Sequence, residues 1–149
     1  MGTKFEEKIE EFKKDFSLLI EAGFVAVKQL DPINSSRIFI AAQMISPKNT
    51  APQIGLGYIA LNKLEVKEAT RIFEHVLKSD PEDQLAKTFL GICYLLTKPK
   101  RKKGEALIHT VIESTEDATI KSLGKVSLEW AEKDLKKRKA PFFPESTPS

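Results

Sequence analysis

The feature of this sequence that most constrains its fold is a pattern of residues that recurs every 34 positions. Three residue types carry the pattern at matching sites: Gly23, Gly57 and Gly91; Phe39 and Phe73; Pro47 and Pro81. A fixed period of this length is the signature of a protein built from stacked repeats, each of which is one supersecondary unit. Within residues 57–81, small and apolar side chains recur at helical spacing on both sides of a short polar connection. Each unit is therefore predicted to be a pair of amphipathic helices.

A pair of helices in 34 residues is typical of the tetratricopeptide (TPR) repeat. The sequence therefore predicts an all-α fold, a right-handed superhelix of about three TPR helix pairs with an N-terminal helix and a C-terminal capping helix. The predicted segments are an N-terminal helix at 1–15, repeats at 16–49, 50–83 and 84–116, a capping helix at 117–138 and a disordered tail at 139–149.

The third repeat departs from the pattern between its two helices. The stretch TKPKRKKGEA adds about three residues relative to the second repeat. On this alignment Ala106 is expected to take the packing role that Ala69 has in the second repeat. The basic run is then predicted to lie in the loop between the helices; it consists of Lys98, Lys100, Arg101, Lys102 and Lys103.

Composition favours a soluble helical protein. The chain is 41% hydrophobic and 30% charged, which is ordinary for a globular protein. Its net charge of +3 gives no overall field for a polyanion, so nucleic acid is not an expected partner. A single cysteine, Cys93, fits a reducing compartment. Because no apolar run is long enough for a membrane span and no secretory signal is visible, the expected location is the cytoplasm.

The sequence contains no recognisable catalytic, cofactor or metal motif. His75 and His109 are the only histidines, and neither stands at metal-ligand spacing from other ligating residues. Cys93 lies between apolar neighbours on a predicted helix, so we expect it to be a buried and inert thiol. No phosphate-binding loop or nucleophile elbow is present. We therefore expect no enzyme activity, no cofactor and no metal.

The predicted binding surface is the concave face of the superhelix, which the first helix of each repeat would line. Nearly all of the residues expected there are apolar, and together they describe a hydrophobic trough. They are Ile20, Phe24 and Val27 in the first repeat, Ile54, Tyr58 and Leu61 in the second, and Leu85, Ile92 and Leu95 in the third. Some of these must pack against neighbouring helices, so a core role for individual members is as plausible as a binding role. A trough of this kind would bury the apolar face of an amphipathic helix.

Two clusters of basic residues are not explained by the predicted apolar groove. One is the run at 98–103, and the other ends the last predicted helix at 133–139. A solvated surface is the simplest interpretation, because cations are favourable near a helix C-terminus and keep a small protein soluble. An acidic partner is the next interpretation, and nucleic acid is the last because no aromatic stacking platform is interleaved with the clusters.

Residues 53–96, QIGLGYIALNKLEVKEATRIFEHVLKSDPEDQLAKTFLGICYLL, carry a resemblance to a known family. The chain resembles the small TPR chaperones of bacterial type III secretion. It is most similar to the needle-subunit chaperones, with a chlamydial member as the close fit. The resemblance implies a cytoplasmic, virulence-associated chaperone that holds the amphipathic helix of a needle subunit in its groove and prevents premature polymerisation. It also implies a small helical co-chaperone as a second partner.

Other functions remain open on the same predicted fold. A chaperone of the type III translocator proteins would bind an extended segment, and its groove would offer discrete pockets for spaced apolar anchors. A general TPR scaffold would bridge two proteins without any role in secretion. A nucleic-acid adaptor would use the basic clusters.

Overall fold

The computed structural model describes residues 32–135, and this part of the chain is helical throughout apart from short connections. Its α-helices are α1 (Pro32–Ile45), α2 (Ala51–Asn62), α3 (Val66–Ser79), α4 (Gln84–Leu95), α5 (Arg101–Ser114) and α6 (Ala118–Trp130). A 3-10 turn at Lys98–Lys100 precedes α5, and a π-helical turn at Ala131–Leu135 follows α6. The predictions made for 1–31 and 136–149 lie outside the described residues. No helix in the described part is long and apolar enough to cross a lipid bilayer.

Several of the described helices begin or end where local sequence signals favour a helix boundary. Pro32 is the first residue of α1, a position where the missing N–H costs no helical hydrogen bond. Asp83 caps α4, because its side chain accepts a hydrogen bond from the Ala86 N–H at 2.9 Å. Asp117 caps α6 in the same way, accepting from the Ile120 N–H at 3.0 Å. Helices α1 and α3 each end two residues before a proline, as the 34-residue pattern predicts.

The chain divides into two compact units, one up to Ile59 and one from Ala60 onward. In the first unit Phe39 and Ile59 form a buried cluster, with Leu56 and Tyr58 packed against it while partly exposed. Gly55 lets α2 approach the Phe39 ring, since a Cβ atom at Gly55 would overlap the ring carbon Cζ. Phe39 is therefore a packing residue, as its place in the repeat predicts.

In the second unit α4 is the central helix, because it packs against α3, α5 and α6. Phe89 of α4 stacks on Phe73 of α3 with ring centroids 5.3 Å apart and an interplanar angle of 18°. Ile108 and Val111 of α5 are fully buried. Fully burying an aliphatic or aromatic side chain stabilises the folded state by about 1.5–3 kcal/mol, so this core holds the four helices together.

The structure corrects the predicted alignment of the third repeat. Helix α5 begins at Arg101, which is 35 residues after Val66, the first residue of α3. This offset pairs three buried positions of α3 with three of α5: Ala69 with Gly104, Phe73 with Ile108, and Val76 with Val111. Ala106 is exposed, so Gly104 takes the packing role that was predicted for Ala106. The insertion relative to the second repeat is one residue instead of about three.

The same change of alignment moves the basic run out of the predicted loop. Lys98 and Lys100 lie in the 3-10 turn, and Arg101, Lys102 and Lys103 form the first turn of α5. The Pro99 ring fixes φ near the helical value, which favours starting a helical turn here. Three of the five basic residues are thus part of a regular helix.

Helices α4 and α5 cross at two glycines, Gly91 and Gly104. A Cβ atom at Gly104 would lie 2.6 Å from the Gly91 carbonyl oxygen and 2.9 Å from the Leu95 nitrogen. Both obstacles are backbone atoms, which cannot move aside as a side chain can. Close approach of these two helices therefore requires glycine at position 104.

Helix α6 lies against α5 at the C-terminal end of the described residues. A Cβ atom at Gly124 would lie 2.9 Å from Cγ1 of Ile112 and 3.2 Å from Cγ2 of Ile108, so the two helices approach closely here as well. Trp130, the last residue of α6, is partly buried. This helix covers α5 within the segment predicted to be a capping helix.

Candidate partner-binding site

The predicted groove residues in the described part of the chain fall into two groups according to their burial. Ile54 and Leu95 are 3% and 0% exposed, so they lie in the interior and a partner could not reach them in this state. Four others are partly buried and keep some exposed surface: Tyr58, Leu61, Leu85 and Ile92. Ile20, Phe24 and Val27 lie outside the described residues, and their place in a groove stays a prediction.

Helix α4 explains why its predicted site residues differ in burial. Neighbouring helices contact it on several sides, and most of its residues are buried. Leu85 and Ile92 are its only apolar residues that remain partly exposed. They are seven positions apart, which places them on one line of the helix surface two turns apart. Together they form what we call the α4 face.

Two hydrogen bonds at the C-terminal end of α4 hold this helix, and with it the α4 face, in place. The Tyr94 hydroxyl donates a hydrogen bond to Oε1 of Glu74 on α3, at 3.1 Å. Arg101 donates from Nε to the Leu95 carbonyl oxygen at 3.1 Å, which satisfies one of the carbonyls that a helix end leaves without a partner. These contacts fix the end of α4 to both α3 and α5, so Ile92 is presented from a rigid helix.

In the first unit Tyr58 is the corresponding partly exposed residue. Its neighbour along the chain, Ile59, is only 5% exposed and belongs to the core with Phe39. Leu56 and Tyr58 pack against that core without being enclosed by it. An aromatic side chain in this position offers a large apolar area to a partner at a small cost in conformational entropy.

The described residues contain no cluster of potential metal ligands, and their one cysteine is buried. No group of three or more histidine, cysteine or acidic side chains between 32 and 135 is placed to hold a metal ion. His75 and His109 are both exposed on helix surfaces. Burial raises the pKa of the Cys93 thiol to about 11, so the thiol stays protonated at neutral pH and is a poor nucleophile.

Sequence reasoning missed one local arrangement at the junction of α4 and α5. The ammonium groups of Lys100 and Lys103 lie 5.3 and 5.1 Å from the centroid of the Tyr94 ring. These are cation–π distances. The lysines and the tyrosine are on different helical elements. Sequence analysis could have predicted their contact only with the correct alignment of α5.

The helices and their packing define a class of protein: an all-α, TPR-like repeat protein with an apolar face on one central helix. A solved structure of the same fold is that of the Yersinia enterocolitica type III secretion translocator chaperone SycD. The two share a TM-score of 0.65 at 15% sequence identity, over 80% of this chain and 90% of that one. This likeness confirms the predicted all-α, TPR-like fold. Comparison of the sequence with protein-family models and with curated proteins finds no match.

Proposed function

We propose that this chain is a non-enzymatic, cytoplasmic chaperone that binds an apolar segment of a type III secretion substrate. The observation that carries the proposal is the α4 face, where Leu85 and Ile92 keep exposed surface on a helix that is otherwise packed into the core. The fold shared with a translocator chaperone supports the same kind of role. We assign no cofactor to this function.

Between the two chaperone types, the spacing of the α4 face favours the translocator type. Its two residues are two helical turns apart, which is about 10.5 Å along the helix axis. An extended segment of polyproline-II geometry rises about 3.1 Å per residue with three residues per turn, so anchors three residues apart lie on one side of it, about 9 Å apart, and would meet both positions. Leu95, the third apolar position predicted for the groove on α4, is fully buried and adds no surface to a continuous trough on this helix. Spaced apolar anchors in an extended segment therefore suit this surface better.

The needle-subunit type remains a second candidate because the sequence resemblance over residues 53–96 favours it. An amphipathic helix lying along α4 would also meet Leu85 and Ile92, since its own apolar residues recur at the same seven-residue spacing. A general TPR scaffold without a secretion role is the simplest alternative to both.

The proposal is tested by substituting Ile92 and measuring capture of the native partner. The tagged chain is expressed in its source cell, and co-purifying proteins are identified by mass spectrometry. Ile92→Asp is expected to abolish capture of one specific partner, because a carboxylate at this position would be desolvated by an apolar segment. Tyr58→Asp tests the first unit in the same way. Helicity is expected to stay largely unchanged in both variants.

Val126→Asp is the matched control, because Val126 is 59% exposed on α6 and lies outside the proposed surface. If Ile92→Asp and Tyr58→Asp capture the partner as well as the wild-type chain does, the proposed assignment of the binding surface is wrong. Competition then separates the two chaperone types. Displacement by an extended peptide with apolar anchors three residues apart supports the translocator type, and displacement only by a helical peptide supports the needle-subunit type.

A further inference from the structure

Helix α6 occupies the position of the first helix of a further repeat. At three junctions between repeats, a residue of a second helix lies against the residue 16 positions later on the following first helix. The three pairs are Phe39 with Gly55, Phe73 with Phe89, and Ile108 with Gly124. Because the separation is the same at all three junctions, α6 is in register with α2 and α4.

This register assigns to Val126 of α6 the position that Gly91 has in α4. Gly91 faces the second helix of its own repeat, since a Cβ atom there would lie 2.5 Å from Cγ1 of Ile108 on α5. Val126 is two residues after Gly124, a turn of about 200°, so it lies on the side of α6 that is opposite α5. Gly91 is buried, whereas Val126 is 59% exposed. Within the described residues, the side of α6 that a second helix would cover is therefore open.

This open side of α6 is apolar, and we call Leu123, Val126 and Trp130 the α6 outer face. The three residues are three and four positions apart, so they lie along one side of the helix. Leu123 and Trp130 each keep part of their surface exposed. The residue of α4 that corresponds to Trp130 is Leu95, which is fully buried where α4 meets α5. The α6 outer face thus has apolar residues where the preceding repeat is covered by its second helix.

We propose that the α6 outer face binds the C-terminal segment of the same chain, residues 136–149, through Phe142 and Phe143. Helices α1, α3 and α5 are each 14 residues long. A second helix of that kind cannot form in this segment, because Pro141 and Pro144 would interrupt it. An extended stretch with two adjacent aromatic side chains can cover the face instead, and the flanking prolines reduce the entropy lost on ordering it. The inference does not depend on the α4 face or on the identity of the secretion substrate.

The C-terminal segment is long enough to reach the α6 outer face. Val126 is nine residues before Leu135, which is about 13 Å back along the helix axis. Phe142 is seven residues after Leu135, and seven residues can span about 23 Å. A tethered segment binds at an effective concentration of about a millimolar, so a small apolar contact is sufficient. Glu129 is exposed on the same side of α6 and would complement the four basic residues at 136–139, which precede the aromatic pair.

The test uses the fluorescence of Trp130, the only tryptophan of the chain. In the full-length chain, Phe142→Ser with Phe143→Ser is expected to shift the emission to longer wavelength. The same change is expected to raise the rate constant of acrylamide quenching by about twofold, because the indole loses its aromatic cover. The midpoint of thermal unfolding is expected to fall by about 3 °C. Ser146→Ala with Thr147→Ala changes polar positions of the same segment and is the matched control, expected to leave all three measurements unchanged.

Val126→Asp tests the same contact from the side of the helix. It is expected to raise the quenching of Trp130 to the same extent, because the aromatic pair would have to desolvate a carboxylate at this position. Combined with the substitutions of Phe142 and Phe143, it is expected to add no further quenching, since all three act on one contact. Partner capture through the α4 face is expected to be unchanged in these variants, which separates this proposal from the proposed function.

Three results would overturn the proposal. Unchanged quenching of Trp130 after the substitution of Phe142 and Phe143 would mean that the C-terminal segment does not cover the face. Additive effects of Val126→Asp and the phenylalanine substitutions would mean that the two ends act separately. Quenching that falls as the wild-type concentration rises from about 1 to 100 μM, together with a dimeric mass in analytical ultracentrifugation, would assign the face to a second copy of the chain.

Discussion

At the scale of single residues, burial sets the pKa of side chains whose ionisation cannot be deduced from the sequence alone. Cys93 is fully buried on α4, and the apolar surroundings disfavour its thiolate. Tyr94, the next residue, also has a raised pKa, first because of burial and then because of the nearby Glu74 carboxylate. Both acids keep their protons to a higher pH in the folded chain than in the unfolded one.

The raised pKa of Cys93 predicts a loss of stability at alkaline pH. The thiol pKa is 9.0 in its ordinary state and about 11 in the folded chain. Above pH 9 the unfolded state therefore holds fewer protons than the folded state, and stability falls as pH rises toward 11. Urea unfolding at pH 7.5, 9 and 10.5 is expected to show a loss of about 1–2 kcal/mol that the Cys93→Ala variant lacks. An identical pH dependence in the two proteins would contradict the assignment.

At the scale of elements, the crossing of α4 and α5 shows how a two-residue difference in alignment changes the role of a residue. Sequence comparison assigned the packing position to Ala106, whereas Gly104 lies against the Gly91 backbone and Ala106 is exposed. A shift of two residues turns a helix by about 200°, so the two assignments point to opposite faces.

This crossing predicts a specific pair of mutant stabilities. Gly104→Ala is expected to destabilise the fold by about 2 kcal/mol, even though alanine is a better helix former, because its Cβ atom would overlap backbone atoms of α4. Ala106→Leu on the same helix is expected to change stability by less than about 0.5 kcal/mol. Chemical denaturation of both variants checks this. If Ala106→Leu were instead the strongly destabilising substitution, the alignment predicted from the sequence, with Ala106 at the packing position, would be correct.

At the scale of the whole molecule, the chain is organised as two units that each contain buried residues of their own. The second unit contains helices α3 to α6, in which Phe73, Phe89 and Ile108 are core residues. Repeat proteins gain their stability from each repeat and its contacts with immediate neighbours. Adjacent helices that pack on one another can therefore fold without the rest of the chain.

This organisation predicts that residues 60–149 fold as an isolated fragment. The fragment is expected to be helical by circular dichroism and to unfold in a single cooperative transition, at lower stability than the full chain. The fragment 1–59 serves as the comparison, and its described core is smaller. A non-cooperative, gradual loss of helicity in fragment 60–149 would show that its core needs the first unit.

The sequence by itself determined the helices and most of the packing positions. Prolines, helix caps and the spacing of small and apolar residues act locally, so the 34-residue pattern placed Phe39, Phe73 and Pro81 correctly. The same local logic identified the buried Cys93. A repeat pattern is informative because every unit must meet its neighbours through the same positions.

Only the tertiary structure decided which apolar residues are available to a partner. Ile54 and Ile92 are equally hydrophobic and both lie on the first helix of a predicted repeat, yet one is buried and the other is partly exposed. Burial depends on which helices surround a residue, and one sequence contains no direct record of those contacts. For the same reason the lysines over Tyr94, which come from separate elements, became visible only once α4 and α5 were packed together.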